Sequence, residues 1–497
     1  MIPRYANADV TRITSDLEKL LKWQRVELAA IKARVRQRKT TQAAYDAIRT
    51  ALEANPPDVA WWKARDAEIS HDLLAFIDER RRFIPVEFQS EFHKGMTSYD
   101  TEEPAHALTL LELHALVEAG LRTFDEVIDR QKLVYENVIF LDRTHGQGAK
   151  LRSFGGRFKN WQAALDVDRL QLGRAIGLCQ YSRMSGAIGN FGSGLNPLFE
   201  AEALGILGLM PFPGATQIMP REIYVPLAQA LANLCRTLGK VAGDVRLSAR
   251  SGFPLCHEPF GKSQKGSSAM PHKKNTILTE QMTGMVRMAT RFEVMIADGI
   301  DTWEARSIEQ SCVERVAWPD LFHVTLRMLS VMTKVLDGLV VYQDNMLREI
   351  VESRGTYASE EAKSFLAERV TAFGKDAEIA YRIVQLAAFN VLEPKGFWAE
   401  VRNQDPAKML LDDADGLLNE ARKVTTDYGD TIETVIASGA LVANQFLGAT
   451  HLDVAAWNSL LQEIFQIEAD QVAWSELFKP SNLLKYESHL IGSPRLR

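Results

Sequence analysis

The sequence predicts an all-α fold of three helical domains, with a bundle of long helices in the middle of the chain. Prolines are absent between Ala105 and Asn196 and between Asp320 and Glu393, and because proline disrupts helix interiors, these blocks favour long helices. Apolar residues also recur every three to four positions, which is the spacing of one helix face. Alternating β-branched runs joined by hairpin turns are missing, so few strands are expected.

Three segments carry the apolar stripe that is typical of a helix seam. The stripes comprise Leu110, Leu113, Val117, Leu121, Phe124 and Ile128; Leu227, Leu231, Leu234, Leu238, Val241 and Val245; and Leu278, Met282, Met285, Ala289, Phe292 and Ile296. We interpret these positions as core packing. Seams of this length also favour helix packing between subunits, and therefore an oligomer.

Turn chemistry divides the chain into three parts. Short helices and proline turns, for example at Pro56 and Pro85, precede the long helical blocks, and a predicted helix stop follows them at Gly355. The prediction is an N-terminal helical domain, a central long-helix bundle and a C-terminal helical domain, at residues 1–103, 104–354 and 355–497. A proline cluster predicts an irregular connection inside the middle block, at Pro197, Pro211, Pro213, Pro220 and Pro226.

Composition excludes several classes of protein. The chain has 497 residues and a net charge of −6, without the basic stripe that is typical of nucleic-acid binding. No apolar run approaches the length of a membrane helix, and the first residues lack the apolar segment of a secretory signal. The cysteines show no metal-binding spacing, so we expect reduced thiols, a cytoplasmic location and no metal site. These cysteines are Cys179, Cys235, Cys256 and Cys312.

Two glycine-containing segments interrupt the helical pattern with groups suited to chemistry. Residues 265–275, here called the signature loop, hold Ser267, Ser268 and Lys273 just before a predicted helix start near Ile277. Backbone amides at such a position can face an anion, although a solvated loop is the common alternative. Residues 143–148 place His145 between polar residues and glycines, which allow backbone to approach a ligand.

Three further segments concentrate polar side chains. Residues 92–100 crowd hydroxyls and a carboxylate ahead of a long helix, where helix capping is an equally good interpretation. Residues 68–72 hold a histidine next to an aspartate, which by itself is more typical of an ordinary surface or core histidine. Residues 303–315 contain two arginines that bracket a serine; guanidinium groups suit carboxylate or phosphate recognition, although a surface ion pair is the usual alternative.

Together these segments resemble the fumarase/aspartase superfamily. Its loop pattern GSSxMPxKxN is present without a mismatch from Gly266 to Asn275. Within the superfamily the chain resembles the adenylosuccinate lyase family. The segments that carry this second resemblance are Ile2-Pro3-Arg4-Tyr5, Ser70-His71-Asp72, Gly95-Met96-Thr97-Ser98-Tyr99-Asp100, Ala215-Thr216-Gln217 with Pro220-Arg221, and Arg306, Ser311 and Arg315 at spacings of five and four. The chain departs from the family at Gly148 and Thr276, where proline is usual, and at Glu304-Ala305.

The resemblance implies β-elimination: a C–N bond breaks and fumarate leaves. It implies Ser267 or Ser268 as the base, of which we favour Ser267, with His145 as the acid and His71 in support. Substrate contacts are implied at Thr97, Ser98, Thr144, Gln217, Lys273 and Asn275 around the succinyl group, and at Arg4, Tyr5, Arg306, Ser311 and Arg315 around phosphate and ribose. His93 is implied to support the succinyl or the phosphate end, and Asp100 is implied as a further substrate contact. The implied substrates are adenylosuccinate and the succinylaminoimidazole-carboxamide ribotide of purine synthesis.

The resemblance also implies a homotetramer whose sites are shared between subunits, and a reaction without cofactor. Two alternatives stay open. A related lyase or cycloisomerase would act on another succinyl or carboxy-muconate compound, and a non-catalytic helical scaffold would bind no substrate, although the intact loop argues against the scaffold.

Overall fold

The computed structural model describes residues 1–353, 355–372, 377, 381, 476–477 and 479–496. The predicted C-terminal domain therefore lies mostly outside the described residues. Helices α1 to α5 lie at Ala8–Ile13, Asp16–Arg36, Gln42–Ala54, Val59–Ile69 and Asp72–Arg81, and α6 to α11 at Ser98–Val134, Phe154–Leu178, Pro197–Leu207, Val225–Ser248, Ile277–Ala297 and Glu309–Asp337. Helices α12 to α15 lie at Gln343–Glu352, Ser359–Ala372, Pro480–Leu483 and Glu487–Gly492. None of the helices in these described ranges is long and apolar enough to cross a membrane.

Five helices form the central bundle. Helices α6, α7, α9, α10 and α11 pack along one another, and the predicted stripes face the interior of this bundle. Leu227, Leu231 and Val245 on α9 are completely buried, as are Leu110 and Val117 on α6. The seam interpretation is thus confirmed as core packing, and burial of these side chains is the main source of the bundle's stability.

A second core lies at the N-terminal end. Helix α2 packs on α6 and α8, and its apolar side chains share a cluster with Phe76 of α5 and Phe199 of α8. Helix α6 begins at Ser98 and runs through Pro104, so the predicted boundary between 103 and 104 falls inside a continuous helix. The first two predicted domains are thereby linked by one long helix, and their limits stay a prediction.

Short strands supplement the helices in three two-stranded sheets within the described ranges. Strands β1 (Ile139–Thr144) and β2 (Gln147–Ser153) form an antiparallel hairpin that the sequence analysis did not predict. The turn consists of His145 and Gly146, both with positive φ, which is the geometry of a tight two-residue hairpin turn. The remaining pairs are β3 (Tyr181–Ser182) with β4 (Met210–Pro211) and β5 (Cys256–His257) with β6 (Val340–Val341).

Prolines initiate helices where the sequence analysis expected an irregular connection. Pro197 is the first residue of α8, with Asn196 as the cap whose side chain accepts the Phe199 amide. Proline is favoured in a first helical turn because its missing N–H would have no partner there. The predicted helix stop at Gly355 is confirmed, since α12 ends at Glu352 and Gly355 has a left-handed backbone.

A buried ionic network ties α6 to the starts of α9 and α11. The carboxylate of Glu103 accepts hydrogen bonds from Arg221 Nη1 at 2.7 Å and from Tyr224 Oη at 2.8 Å, and Arg221 Nε lies 2.9 Å from Glu314. Burial alone would raise the pKa of the Glu103 carboxyl, but Arg221 holds that pKa below its usual range. Glu103 is therefore an ionised, fully partnered member of the core.

Replacing Glu103 by alanine should lower the free energy of unfolding by about 3 kcal/mol, because Tyr224 loses its acceptor and Arg221 loses one of its two buried carboxylates. Urea unfolding followed by circular dichroism measures the change. Glu126→Ala serves as the matched control, since Glu126 is exposed on the same helix. Equal unfolding midpoints for the two variants would contradict the importance of the network.

Candidate active site

Two residues that the sequence does not single out, His257 and Glu258, hold the C-terminal end of the signature loop. The buried carboxylate of Glu258 accepts the backbone amides of Leu278 at 3.0 Å and Thr279 at 2.9 Å, at the start of α10. His257 Nε2 lies 3.1 Å from the carbonyl oxygen of Lys274. A carboxylate at a helix N-terminus satisfies amides that have no partner within the helix. The segment just before the loop thus fixes the point at which the loop ends and α10 begins.

The signature loop folds back on itself around Gly266. Asn275 Nδ2 donates to the Gly266 carbonyl oxygen at 3.0 Å, and a Cβ added at Gly266 would clash with the Lys273 carbonyl oxygen. Ser267 Oγ accepts the backbone amides of Ala269 at 3.3 Å and Met270 at 3.2 Å. Donors aimed at this oxygen favour its deprotonated form, so the loop geometry supports Ser267 as the base.

The second serine has a different environment. Ser268 is exposed, and no hydrogen bond to its side chain occurs within the described part of the chain. Lys273 is also exposed. Both side chains therefore face outward, where substrate or a second subunit has access to them.

The substitution Gly266→Ala should reduce kcat/KM by about 100-fold, because moving the 273 carbonyl displaces the serine-bearing turn and ångström-scale misplacement of a reacting group has an effect of that order. Steady-state kinetics on the proposed substrate measures the loss, with circular dichroism to verify the helices. The matched control is Gly261→Ala, where the nearest neighbour of an added Cβ is Gln264 Cβ at 3.7 Å. Similar rates for the two variants would show that the Gly266 contact is unimportant.

His145 lies at the exposed tip of the β1–β2 hairpin, next to the exposed Thr144. Ion pairs hold the hairpin to later parts of the chain. Arg143 pairs with Glu349 of α12, and Lys150 Nζ lies 2.6 Å from a carboxylate oxygen of Glu360 on α13. These contacts hold the hairpin close to its turn and leave the imidazole ring free to meet a ligand.

The turn before α6 is stabilised by two buried carboxylates. Asp100 Oδ2 accepts the Thr97 amide at 2.8 Å, while Asp100 Oδ1 lies 3.0 Å from Arg183 Nη2 and accepts the Gly186 amide. Asp100 therefore has the capping and packing contacts of the alternative interpretation, while its role as a substrate contact stays a prediction. Thr97 and Ser98 stay partly accessible at the helix start.

His93 is held by a second buried acid. Its Nδ1 lies 2.7 Å from Glu27 Oε1, and its amide donates to Glu27 Oε2 at 3.0 Å. Burial alone would lower the pKa of His93, but the Glu27 carboxylate raises it above the usual value. Glu27 thus favours the protonated form of the His93 ring and holds that ring against the turn, which leaves Nε2 to face a substrate.

An arginine cluster, defined here as Gln217, Arg306 and Arg315, lies near the start of α11. Arg306 Nη1 donates to Gln217 Oε1 at 2.8 Å, and its guanidinium lies over the ring of Tyr99 at 4.4 Å. Arg315 Nη2 pairs with Asp72 Oδ2 at 2.8 Å. The structure thus brings together residues from three of the predicted segments, and the two guanidinium groups form a cationic site suited to an oxyanion.

The remaining predicted residues lie apart. His71 caps α5, with Nδ1 accepting the Leu74 amide at 3.3 Å, and Ser311 Oγ donates to the Ile308 carbonyl oxygen at 2.9 Å. Arg4 is exposed and Tyr5 is half-buried against the main core. Within the described ranges, no hydrogen bond or ion pair joins the side chains of Ser267, Ser268, Lys273, His145 or His71 to the arginine cluster.

The fold and the family profile identify a helical lyase. The lyase family profile matches residues 13–290, and the chain belongs to this family, the fumarase/aspartase superfamily, as the sequence analysis predicted.

Curated relatives agree with this membership, and a solved structure shares the fold. The adenylosuccinate lyase of Deinococcus radiodurans is 33% identical to this chain, over 83% of this chain and 94% of the relative. The adenylosuccinate lyase of Synechocystis sp. is 32% identical, over 80% of this chain and 90% of the relative. A fumarate lyase from Mesorhizobium sp. BNC1 is 18% identical, with a TM-score of 0.74 over 98% of this chain and 97% of that one. This structural likeness shows a shared fold.

Proposed function

We propose that this enzyme is an adenylosuccinate lyase, which cleaves adenylosuccinate to AMP and fumarate and also cleaves the succinylaminoimidazole-carboxamide ribotide. The observation that carries the proposal is the combination, in one chain, of an ordered signature loop and the two guanidinium groups of Arg306 and Arg315. A dicarboxylate substrate without a phosphate would not require a cationic site in addition to Lys273 of the signature loop. The curated relatives at about 30% identity support the same activity.

The proposed elimination begins at Ser267. Its alkoxide removes a proton from the carbon next to a succinyl carboxylate, and the electron pair enters that carboxylate as an aci-carboxylate. The electrons then return to form the carbon–carbon double bond, the C–N bond breaks, and His145 protonates the departing nitrogen. The Ala269 and Met270 amides stabilise the alkoxide, and Lys273 offers a cation to the developing charge.

The remaining residues bind the substrate in this proposal. Thr97, Ser98, Thr144, Gln217 and Asn275 offer polar groups to the succinyl part, while Arg306, Ser311 and Arg315 bind the phosphate. Arg4 and Tyr5 complete the phosphate and ribose contacts, and His71 and His93 support the site through their ring nitrogens.

We also propose a homotetramer with shared sites, in the cytosol. Within one described chain, the loop serine, the hairpin histidine and the arginine cluster do not contact one another, so a second and a third subunit are needed to assemble them. Three of the four free cysteines are buried and unpaired, which supports a reducing compartment.

The test is an assay of the purified protein with each purine substrate, following fumarate by chromatography. Formation of fumarate and AMP in equal amounts from adenylosuccinate is the expected result. Absence of turnover with both purine substrates would reject the proposal.

A second candidate is a lyase or cycloisomerase for another succinyl or carboxy-muconate compound. The observation that favours it is the presence of two acidic side chains beside the arginines, which weakens the site for a phosphate. Arg315 already pairs with Asp72, and Glu102 lines the adjoining cavity. Fumarate release, or ring closure, from a substrate without phosphate, together with inactivity toward both purine substrates, would establish this alternative.

A further inference from the structure

A cavity of about 420 Å³ adjoins the arginine cluster. It lies between α2, the first turns of α6 and the start of α11. Its wall includes Lys19 on α2, Tyr99 and Glu102 on α6, and Ser311 and Arg315 on α11. The cavity therefore opens onto the same arginine and serine that we assign to the phosphate.

Glu102 is the unusual member of this wall. Within the described ranges no hydrogen bond or ion pair involves its carboxylate, whereas the next residue, Glu103, is fully partnered by Arg221 and Tyr224. An ionised carboxylate at the cavity wall needs a hydrogen-bond partner. For Glu102 that partner is solvent or a ligand, or the carboxylate takes up a proton instead. Burial, with a further contribution from Asp72, raises the pKa of Glu102 to about 7.

Charged groups face Glu102 from every neighbouring element. Lys19 contributes a cation from α2 and Asp72 an acid from α5. Arg306 and Arg315 are attractive cations, but Asp72 partly neutralises Arg315. On α6 itself the neighbours are Tyr99, Glu103 and His106; burial lowers the pKa of His106 to about 4, so this ring stays neutral near pH 7.

We propose that Glu102 is a specificity-determining residue that sets how strongly the arginine cluster binds a dianion. When Glu102 is ionised, its charge opposes a phosphate monoester at Arg306, Ser311 and Arg315; when it is protonated, the phosphate binds and the hydroxyl can donate a hydrogen bond. The inference rests on the proposed function, which places the substrate phosphate at this cluster. The ligand class is a dianionic oxyanion, and ribosides without the phosphate are unaffected.

Sulfate is a suitable probe because it keeps two negative charges between pH 6 and pH 8. We expect the full-length protein to bind sulfate about tenfold more tightly at pH 6 than at pH 8 in isothermal titration calorimetry, the factor that corresponds to a coupling of one pKa unit. Glu102→Gln should bind sulfate at pH 8 as tightly as the wild type does at pH 6, without pH dependence. The control Glu126→Gln, an exposed position on the same helix, should behave as the wild type.

Two results would overturn the inference. If Glu102→Gln keeps the wild-type pH dependence, another group such as His71, which precedes Asp72 in the chain, is responsible. If the wild type binds no sulfate at either pH, the cluster is not a dianion site.

Kinetics separate this inference from the proposed function. Glu102→Gln should lower the KM for adenylosuccinate at pH 8 by about tenfold and leave the KM for its dephosphorylated analogue, succinyladenosine, unchanged. Absence of turnover with every purine compound would reject the function while the sulfate titrations still decide the role of Glu102. Equal effects on the KM values of the two substrates would assign Glu102 a merely structural role.

Discussion

Ser267→Ala should lower kcat for adenylosuccinate cleavage by about 1000-fold or more, with a much smaller change in KM. The Ser267 oxygen accepts two backbone amides, an arrangement that stabilises an alkoxide more than a neutral hydroxyl. The variant removes the base and leaves the substrate contacts in place. Steady-state and single-turnover kinetics measure the effect on the chemical step.

Ser268→Ala is the matched control in the neighbouring position. The Ser268 side chain is exposed and unbonded in the described structure, so its loss should change kcat less than tenfold. If instead Ser268→Ala loses three orders of magnitude and Ser267→Ala stays near normal, the base is Ser268 and the amides serve only to shape the turn.

His145→Gln should lower kcat by about 100- to 10,000-fold, the usual contribution of a general acid. The glutamine preserves polarity but does not supply the proton to the departing nitrogen. Steady-state and single-turnover kinetics with adenylosuccinate measure the loss.

The control for this substitution is His489→Gln, an exposed histidine on the terminal helix α15. It should leave kcat unchanged. A near-normal kcat in His145→Gln would mean that another group donates the proton, and His71 would then be the first residue to test.

Periodicity predicted the central bundle because a buried helix face needs apolar residues at a spacing near 3.6. The stripe on α9 is buried along its whole length, from Leu227 to Val245. The helix start at Ile277 followed from the Gly-Ser loop before it, and the structure confirms that start. Local sequence was sufficient to predict the buried stripe and the helix start, because both depend on residues that are close together in the chain.

The hairpin that carries His145 was missed for a local reason. Residues 143–148 were interpreted as a ligand loop, although a histidine followed by glycine is compatible with the two positive φ angles that a tight hairpin turn requires. Weak alternation in β1 gave no strand signal. The resemblance identified the histidine as a candidate without indicating the element that positions it.

Long-range pairing lay beyond the sequence. Asp72 and Arg315 are 243 positions apart, and Asp100 meets Arg183 only after α6 and α7 have packed. Glu102 was overlooked because an acidic residue near a helix start is ordinary. Only the folded chain shows that one glutamate of an adjacent pair is satisfied while the other faces a cavity.

The separate anchoring of the loop, the hairpin and the arginine cluster has an evolutionary consequence. The signature loop that carries the proposed base Ser267 and the hairpin that carries the proposed acid His145 have contacts of their own, through Glu258 and through Glu349. Substitutions at Glu102 or Asp72 alter the charge presented to the far end of a substrate without touching those anchors. A descendant of this enzyme can therefore acquire a new leaving group by single changes along α5 and α6 while it inherits its bond-breaking apparatus intact.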